Sequence, residues 1–235
     1  MNTHPHFPPG IVTNGRARSL ALIAVCLILA ITLAPQAQAA TVVSNLGNTS
    51  DGSLAVNNLT GPLGFAGVDA ANSFTTGAAA TLESVTLSLS GFGVVDFKVA
   101  LYLDSAGLPG TSLVTLTGNS NPSSLGLYTY TGTYALAAST TYWVVASVPH
   151  DVAVNHLANW YSTTNPSETG QPGWSIGDGS AQRHWSSGVP EAWAGSDRAL
   201  QFSVETMSVP EPGRATLLFG SVCLATVLRR RRVAH

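Results

Sequence analysis

The chain has 235 residues, of which 45% are hydrophobic and only 9% charged, with a formal net charge of −2. Residues 40–208 hold three basic side chains (Lys98, Arg183 and Arg198) against eleven acidic ones, a net charge of −8. A lysine-poor, acidic region of this kind is unsuited to binding the phosphate backbone of nucleic acid, and its many Val, Leu, Phe, Tyr and Trp residues argue against disorder.

Residues 1–39 read as a secretory signal peptide. Arg16 and Arg18 form a positive start, Leu20 to Leu33 is almost unbroken apolar sequence, and Ala37-Gln38-Ala39 is an A-x-A cleavage site that would make Ala40 the first mature residue. The apolar run is fourteen residues long; as a helix it would rise about 21 Å, short of the roughly 30 Å of a bilayer core. The arginines are not adjacent, which argues against twin-arginine export. Cys26 and Cys223 are the two cysteines and both lie in the end segments, so residues 40–208 are expected to hold together without a disulfide.

In the middle of the chain helical periodicity is missing and period-two alternation recurs. Val85, Leu87 and Leu89 alternate with Ser84, Thr86 and Ser88. Phe97, Val99, Leu101 and Leu103 oppose Lys98, Ala100 and Tyr102. Tyr142, Val144, Ala146 and Val148 oppose Trp143 and Val145, and Leu200, Phe202 and Val204 alternate with Gln201, Ser203 and Glu205. Shorter candidate strands are 41–44, 73–76, 112–117, 127–133 and 159–163. Turn-forming clusters separate them, notably the run from Asp104 to Gly110 and Asn119-Ser120-Asn121-Pro122. About nine short strands joined this way predict an all-β domain, an antiparallel β-sandwich of jelly-roll type. The least predictable stretch is 166–196.

Several motifs from 65 to 145 are similar to the choice-of-anchor R domain, a bacterial surface module. They are Phe65-Ala66-Gly67, Ala71-Asn72-Ser73-Phe74, Leu82 to Leu89, Val99 to Asp104 with the Gly107-Leu108-Pro109-Gly110 turn, and Leu136 to Val145. The resemblance spans roughly residues 45–206. It implies delivery to the cell surface and no catalytic residues.

The C-terminal residues have a different organisation. Val209-Pro210-Glu211-Pro212 is held extended by its prolines. An apolar run from Ala215 to Leu228 follows, again short for a membrane span, and then the basic cluster Arg229, Arg230, Arg231 and Arg232, a stop on the cytoplasmic side. In this order the three parts resemble the PEP-CTERM sorting signal, whose Val-Pro-Glu-Pro motif is processed by exosortase, a membrane enzyme of Gram-negative bacteria that make exopolysaccharide. Arg214, an early charge, departs from that pattern. The expected organisation is a signal peptide (1–39), a β-sandwich surface domain (40–208) and a sorting signal with a short transmembrane helix (209–235). The resemblance implies exosortase, the export translocon and signal peptidase as partners. It also implies a transient membrane anchor, then a place at the cell surface or in the exopolysaccharide matrix.

Candidate chemistry in the middle domain is thin. Gly173-Trp174-Ser175-Ile176-Gly177 matches the G-x-S-x-G of hydrolases, with His184 or His156 as partner, but no helical pattern follows it. His150, Asp151, His156 and His184 lack metal-ligand spacing. Asp51-Gly52-Ser53 and Asp178-Gly179-Ser180 are fragments of calcium loops, so a structural Ca²⁺ is the one cofactor to consider. Tyr161 and the tryptophans Trp160, Trp174, Trp185 and Trp193 are either loop-to-core packing or, if exposed, a platform for neutral glycan. The expectation is a non-enzymatic surface protein, with a carbohydrate-binding adhesion module as the alternative and a serine hydrolase third.

Overall fold

A computed structural model describes residues 39–61, 64–150, 155–165 and 167–207. The expected signal peptide up to Gln38, the Val209–Pro212 motif, the Ala215–Leu228 run and the four arginines lie outside the described residues. Among the described residues every regular element is a β-strand, and no helix is long and apolar enough to cross a membrane.

The strands are β1 (Ala39–Ser44), β2 (Gly52–Gly61), β3 (Gly64–Thr75), β4 (Ala80–Phe92), β5 (Lys98–Ser105), β6 (Leu108–Leu116) and β7 (Gly126–Leu136). They continue with β8 (Thr141–Ser147), β9 (His156–Thr163), β10 (Thr169–Gly170), β11 (Ser175–Ser186), β12 (Val189–Ser196), β13 (Ala199–Leu200) and β14 (Phe202–Met207). The pairings connect in the order β10-β1-β14-β4-β9-β2-β3-β8-β5-β6, with β7 added to β4, β13 to β9 and the β11–β12 hairpin to β3. All recorded pairings between these strands are antiparallel. The long strands change partner along their length. The first half of β3 pairs with β2 and the second half with β8, and β4 passes from β14 to β9.

Alternation explains which faces are buried. In β5 and β8, Val99, Leu101, Val144 and Ala146 are fully buried, and they join Leu82, Val85, Leu87, Tyr130, Phe202 and Val204 in one apolar core. Ring contacts tie these strands together: Phe74 to Phe202 (6.5 Å), Phe97 to Tyr130 (6.0 Å) and Tyr134 to Tyr142 (6.3 Å). A bulge between Leu82 and Ser84 shifts the β4 register, which puts Leu82 and Val85 in the same core although strict alternation would separate them. Leu103, expected to face inward with Leu101, is instead 41% exposed at the end of β5.

Two further expectations change in detail. The connector from Asp104 to Gly110 shrinks to two residues, Ala106 and Gly107, both with positive φ (55° and 80°); this is the two-residue hairpin turn whose twist matches its strands. Pro109 and Gly110 belong to β6, which ends the strand order, a place where a proline costs no ladder bond. The strand expected over 200–205 is interrupted at Gln201, whose backbone bonds to β9: its N–H donates to Tyr161 O (2.8 Å) and its carbonyl accepts Trp160 Nε1 (2.9 Å). Asn45 covers the break, donating to Leu200 O (3.0 Å) and accepting from Phe202 N–H (2.8 Å).

Candidate functional site

The chemistry gathers on the face of β11, β3, β8 and β5 opposite the main core. Residues 69, 71 and 73 of β3 lie beside 183 and 181 of β11 and beside 145 and 143 of β8. Because side chains alternate, Asp69, Ala71 and Ser73 share this face with Arg183, Ala181, Val145 and Trp143. Its centre is apolar: Ala71, Trp143, Val145 and Ala181 form a small cluster, with Tyr102, Leu108 and Trp193 packed against it. The cluster separates two polar ends.

At one end Asp69 is fully buried and its carboxylate is saturated with donors. Oδ1 takes His150 Nε2 (2.8 Å); Oδ2 takes Arg183 Nη2 (2.7 Å), Arg183 Nε (3.2 Å) and Trp185 Nε1 (2.8 Å). The His150 ring stacks on Trp185 at 4.4 Å. The Arg183 guanidinium lies over Trp185 (5.1 Å) and over Trp193 of β12 (4.7 Å). An aspartate holding a histidine resembles the orienting half of a catalytic dyad. Here the remaining nitrogen, His150 Nδ1, is buried without a partner and faces Gly67, where a Cβ would sit only 2.1 Å away. No substrate atom fits between them, so the arrangement is a clamp that fixes β11 and the residues after β8 to β3.

At the other end lies an open cleft of about 360 Å³. Ser73, Thr141 and Trp143 line it from β3 and β8, Asp104, Gly107 and Leu108 from the β5–β6 hairpin, and Gly177, Gly179, Ser180 and Gly195 from β11 and β12. Asp104 is held at both oxygens: Oδ1 accepts Trp143 Nε1 (2.7 Å) and Oδ2 accepts Gly107 N–H (3.1 Å). The glycine wall comes from a bulge. β11 leaves its register with β3 between Ile176 and Ser180, and the Gly177 carbonyl is taken by Asn72 Nδ2 (3.1 Å). A Cβ at Gly177 would meet Ser73 Oγ at 2.2 Å, so a side chain there would push the Ser73 hydroxyl aside.

The residues singled out in the sequence are scattered. Trp160 is fully buried and Trp174 nearly so (7% exposed); Trp160 meets Phe202 edge-on at 6.1 Å and Trp174 stacks parallel on Phe74 at 6.4 Å. Neither can offer a face to a sugar, which removes both from the expected platform. Trp185 and Trp193 are half-buried, but both commit a ring face to Arg183. Tyr161 is also half-buried, with its hydroxyl 3.3 Å from Ser90 Oγ.

Ser175 and His184 lie on the same strand, nine residues and roughly 30 Å apart. Ser175 opens β11 and a strand, not a helix, follows it, so the strand-to-helix turn of a nucleophile elbow is missing. His156 is fully buried, its Nδ1 3.1 Å from Gly93 O. His184 is exposed, and it alternates with Trp185, so it points away from His150. Asp151 lies outside the described residues, and no group of three or more acidic, His or Cys side chains among those described could hold a metal. Of the calcium-loop fragments, Asp51 is bonded to Thr164 through its N–H (2.9 Å) and its hydroxyl, and Arg198 Nη1 lies 3.4 Å away. A cation already stands beside that carboxylate. Asp178 is exposed within the β11 bulge.

Of the expected cleavage residues, Ala37 lies outside the described residues, while Ala39 and Ala40 open β1. Ala39 pairs with Met207, and Ala40 with Thr206, at the end of β14.

Comparison with protein-family models, with curated proteins and with solved structures gives no match. What the face can do is therefore read from its geometry. Sequence reasoning did not mark Asp69, Arg183, Asp104 or Trp143 as a site. The available signal was the alternation that sets Trp143 and Val145 against the core residues of β8. It shows a second covered face without naming what covers it.

Proposed function

We propose that the chain is an exported, non-enzymatic surface protein of the PEP-CTERM type, sorted and trimmed by exosortase through residues 209–232. The carrying observation is the pair of ends: an export signal with its A-x-A site at one end, and a proline motif, apolar run and arginine cluster at the other. In this reading the domain is a β-sandwich of jelly-roll type, similar to choice-of-anchor R, and the Ala215–Leu228 run is a short membrane helix. The ring contacts between β3, β8, β7 and β14 support two facing layers. Strands that change partner midway are the corners by which one sheet passes into the other.

The pairing of Ala39 with Met207 also supports the reading. Cutting before Ala40 removes one residue from β1 and leaves the rest of its pairing with β14. Cutting near Val209 falls just beyond β14, so the two cuts together cost the sheet only the Ala39–Met207 pair. The released domain would then join the cell surface or the exopolysaccharide matrix.

The test is a fusion of residues 205–235 to a secreted reporter in hosts with and without exosortase. Trimmed reporter is expected only where the enzyme is present. Identical processing in the deficient host would overturn the mechanism.

A further inference from the structure

We infer that the cleft between the β5–β6 turn and the β11 bulge is a binding site for a single neutral sugar unit, with Asp104 as its anchoring acceptor. The inference is independent of how the tail is processed, and it uses none of the tryptophans that the sequence suggested for glycan contact.

Size comes first. About 360 Å³ lies at the small end of the range for small-molecule sites, about 300–1,000 Å³. The lining chemistry is specific. A carboxylate offers about four lone-pair positions. Trp143 Nε1 and Gly107 N–H occupy one on each oxygen, which fixes the group's plane and leaves an acceptor on each side for two hydroxyl donors. Adjacent hydroxyls of a pyranose present that pair. Ser73 and Thr141 add hydroxyl groups that can donate or accept, with Thr141 Oγ1 also 3.0 Å from Thr75 Oγ1. Leu108 supplies an apolar edge for the C–H face, while Trp143, only 5% exposed, serves to hold Asp104 in place. The glycine wall lets a ligand approach the backbone closely, and the bulge takes that segment out of the β3 ladder.

A metal fits less well. Among the described residues Asp104 is the one charged side chain lining the cleft, whereas Ca²⁺ takes about 6–8 oxygen ligands, several of them anionic. A neutral polyol needs acceptors and donors in about equal number, and the lining supplies both.

The fold offers a plug that spares the core. A Cβ at Gly195 meets nothing within 4 Å, and its φ is not positive. Gly195 pairs with Ala181 and lies two residues from Trp193, so a side chain there projects over the same face. Gly195→Phe should close the cleft. Asp104→Asn keeps the volume and an acceptor for Trp143 while removing the charge.

The experiment uses the full-length chain in a detergent whose headgroup is not a sugar. Methyl glycosides of glucose, galactose, mannose and N-acetylglucosamine are titrated while the five tryptophan indole signals are followed by ¹H–¹⁵N NMR. Trp143→Phe assigns the relevant signal. At least one glycoside should shift the Trp143 indole saturably. Gly195→Phe should abolish the shift, and Asp104→Asn should weaken binding by about tenfold or more. Four results would overturn the inference: no response to any glycoside, an undiminished response in Gly195→Phe, one unaffected by Asp104→Asn, or a response to n-butylammonium or Ca²⁺ alone. If Gly195→Phe loses the native spectrum, the Asp104→Asn result decides.

Discussion

Two aspartates illustrate how differently one side chain is used in this domain. Asp69 is buried among three donor residues, and removing it strands Arg183, His150 and the Trp185 N–H without an acceptor. Breaking a buried, paired charge typically costs about 3–5 kcal/mol, so Asp69→Ala is expected to lower the urea midpoint sharply. Loss of the native Trp185 fluorescence environment should accompany it. Gly67→Ala acts on the same clamp from behind. Its Cβ would stand 2.1 Å from His150 Nδ1, and overpacking of that kind costs about 1–3 kcal/mol.

Asp51, by contrast, is on the surface. The Thr164 hydroxyl, then the Thr164 N–H and the nearby Arg198 charge hold its carboxyl below the ordinary value of 3.8. A depressed folded-state value means that its contribution is fully present above 3.8 and is lost as pH falls through the folded-state value beneath it. Thr164→Val should move the Asp51 carboxyl titration back up in a ¹³C NMR pH series, because the largest of these causes is removed.

At the scale of elements, the β11–β12 hairpin is the most exposed part of the clamp and the cleft. Its turn, Ser187-Gly188, has positive φ at both positions (52° and 79°). Gly188→Ala should therefore destabilise the hairpin by about 1 kcal/mol, the cost of a left-handed residue with a Cβ. β12 pairs with β11 alone and most of its side chains are exposed, whereas β8 is bonded on both edges, to β3 and β5. Hydrogen exchange should run much faster in Val189–Ser196 than in Thr141–Ser147. Equal protection would mean that the hairpin opens only with the whole domain.

For the whole molecule, β1 and β14 close the described fold by pairing its first residues with its last. Val42 and Val43 of β1 are buried (2% and 0% exposed), and each buried valine contributes about 1.5–3 kcal/mol. Deleting residues 1–39 should leave the urea unfolding curve of the domain unchanged. Deleting residues 1–44 should unfold or precipitate it, because it removes that burial and leaves the β14 edge unpaired.

Residue types and their spacing were enough to determine the all-β class, the inward rows of β8 and of β5 as far as Leu101, and the two ends that suggest export and sorting. Those features are local: period-two alternation and short linear motifs depend only on neighbours along the chain. Whether Trp160 and Trp174 face solvent, that Asp69 gathers His150, Arg183 and Trp185, and that Asp104 meets Trp143 over a glycine wall were decided by tertiary structure. The stretch 166–196 was illegible because β11 carries a bulge and β12 is mostly exposed, so neither leaves a clean alternation. The clamp joins Asp69 to Trp185, 116 positions apart in sequence, and such distant partners are set by strand pairing, which no linear spacing encodes.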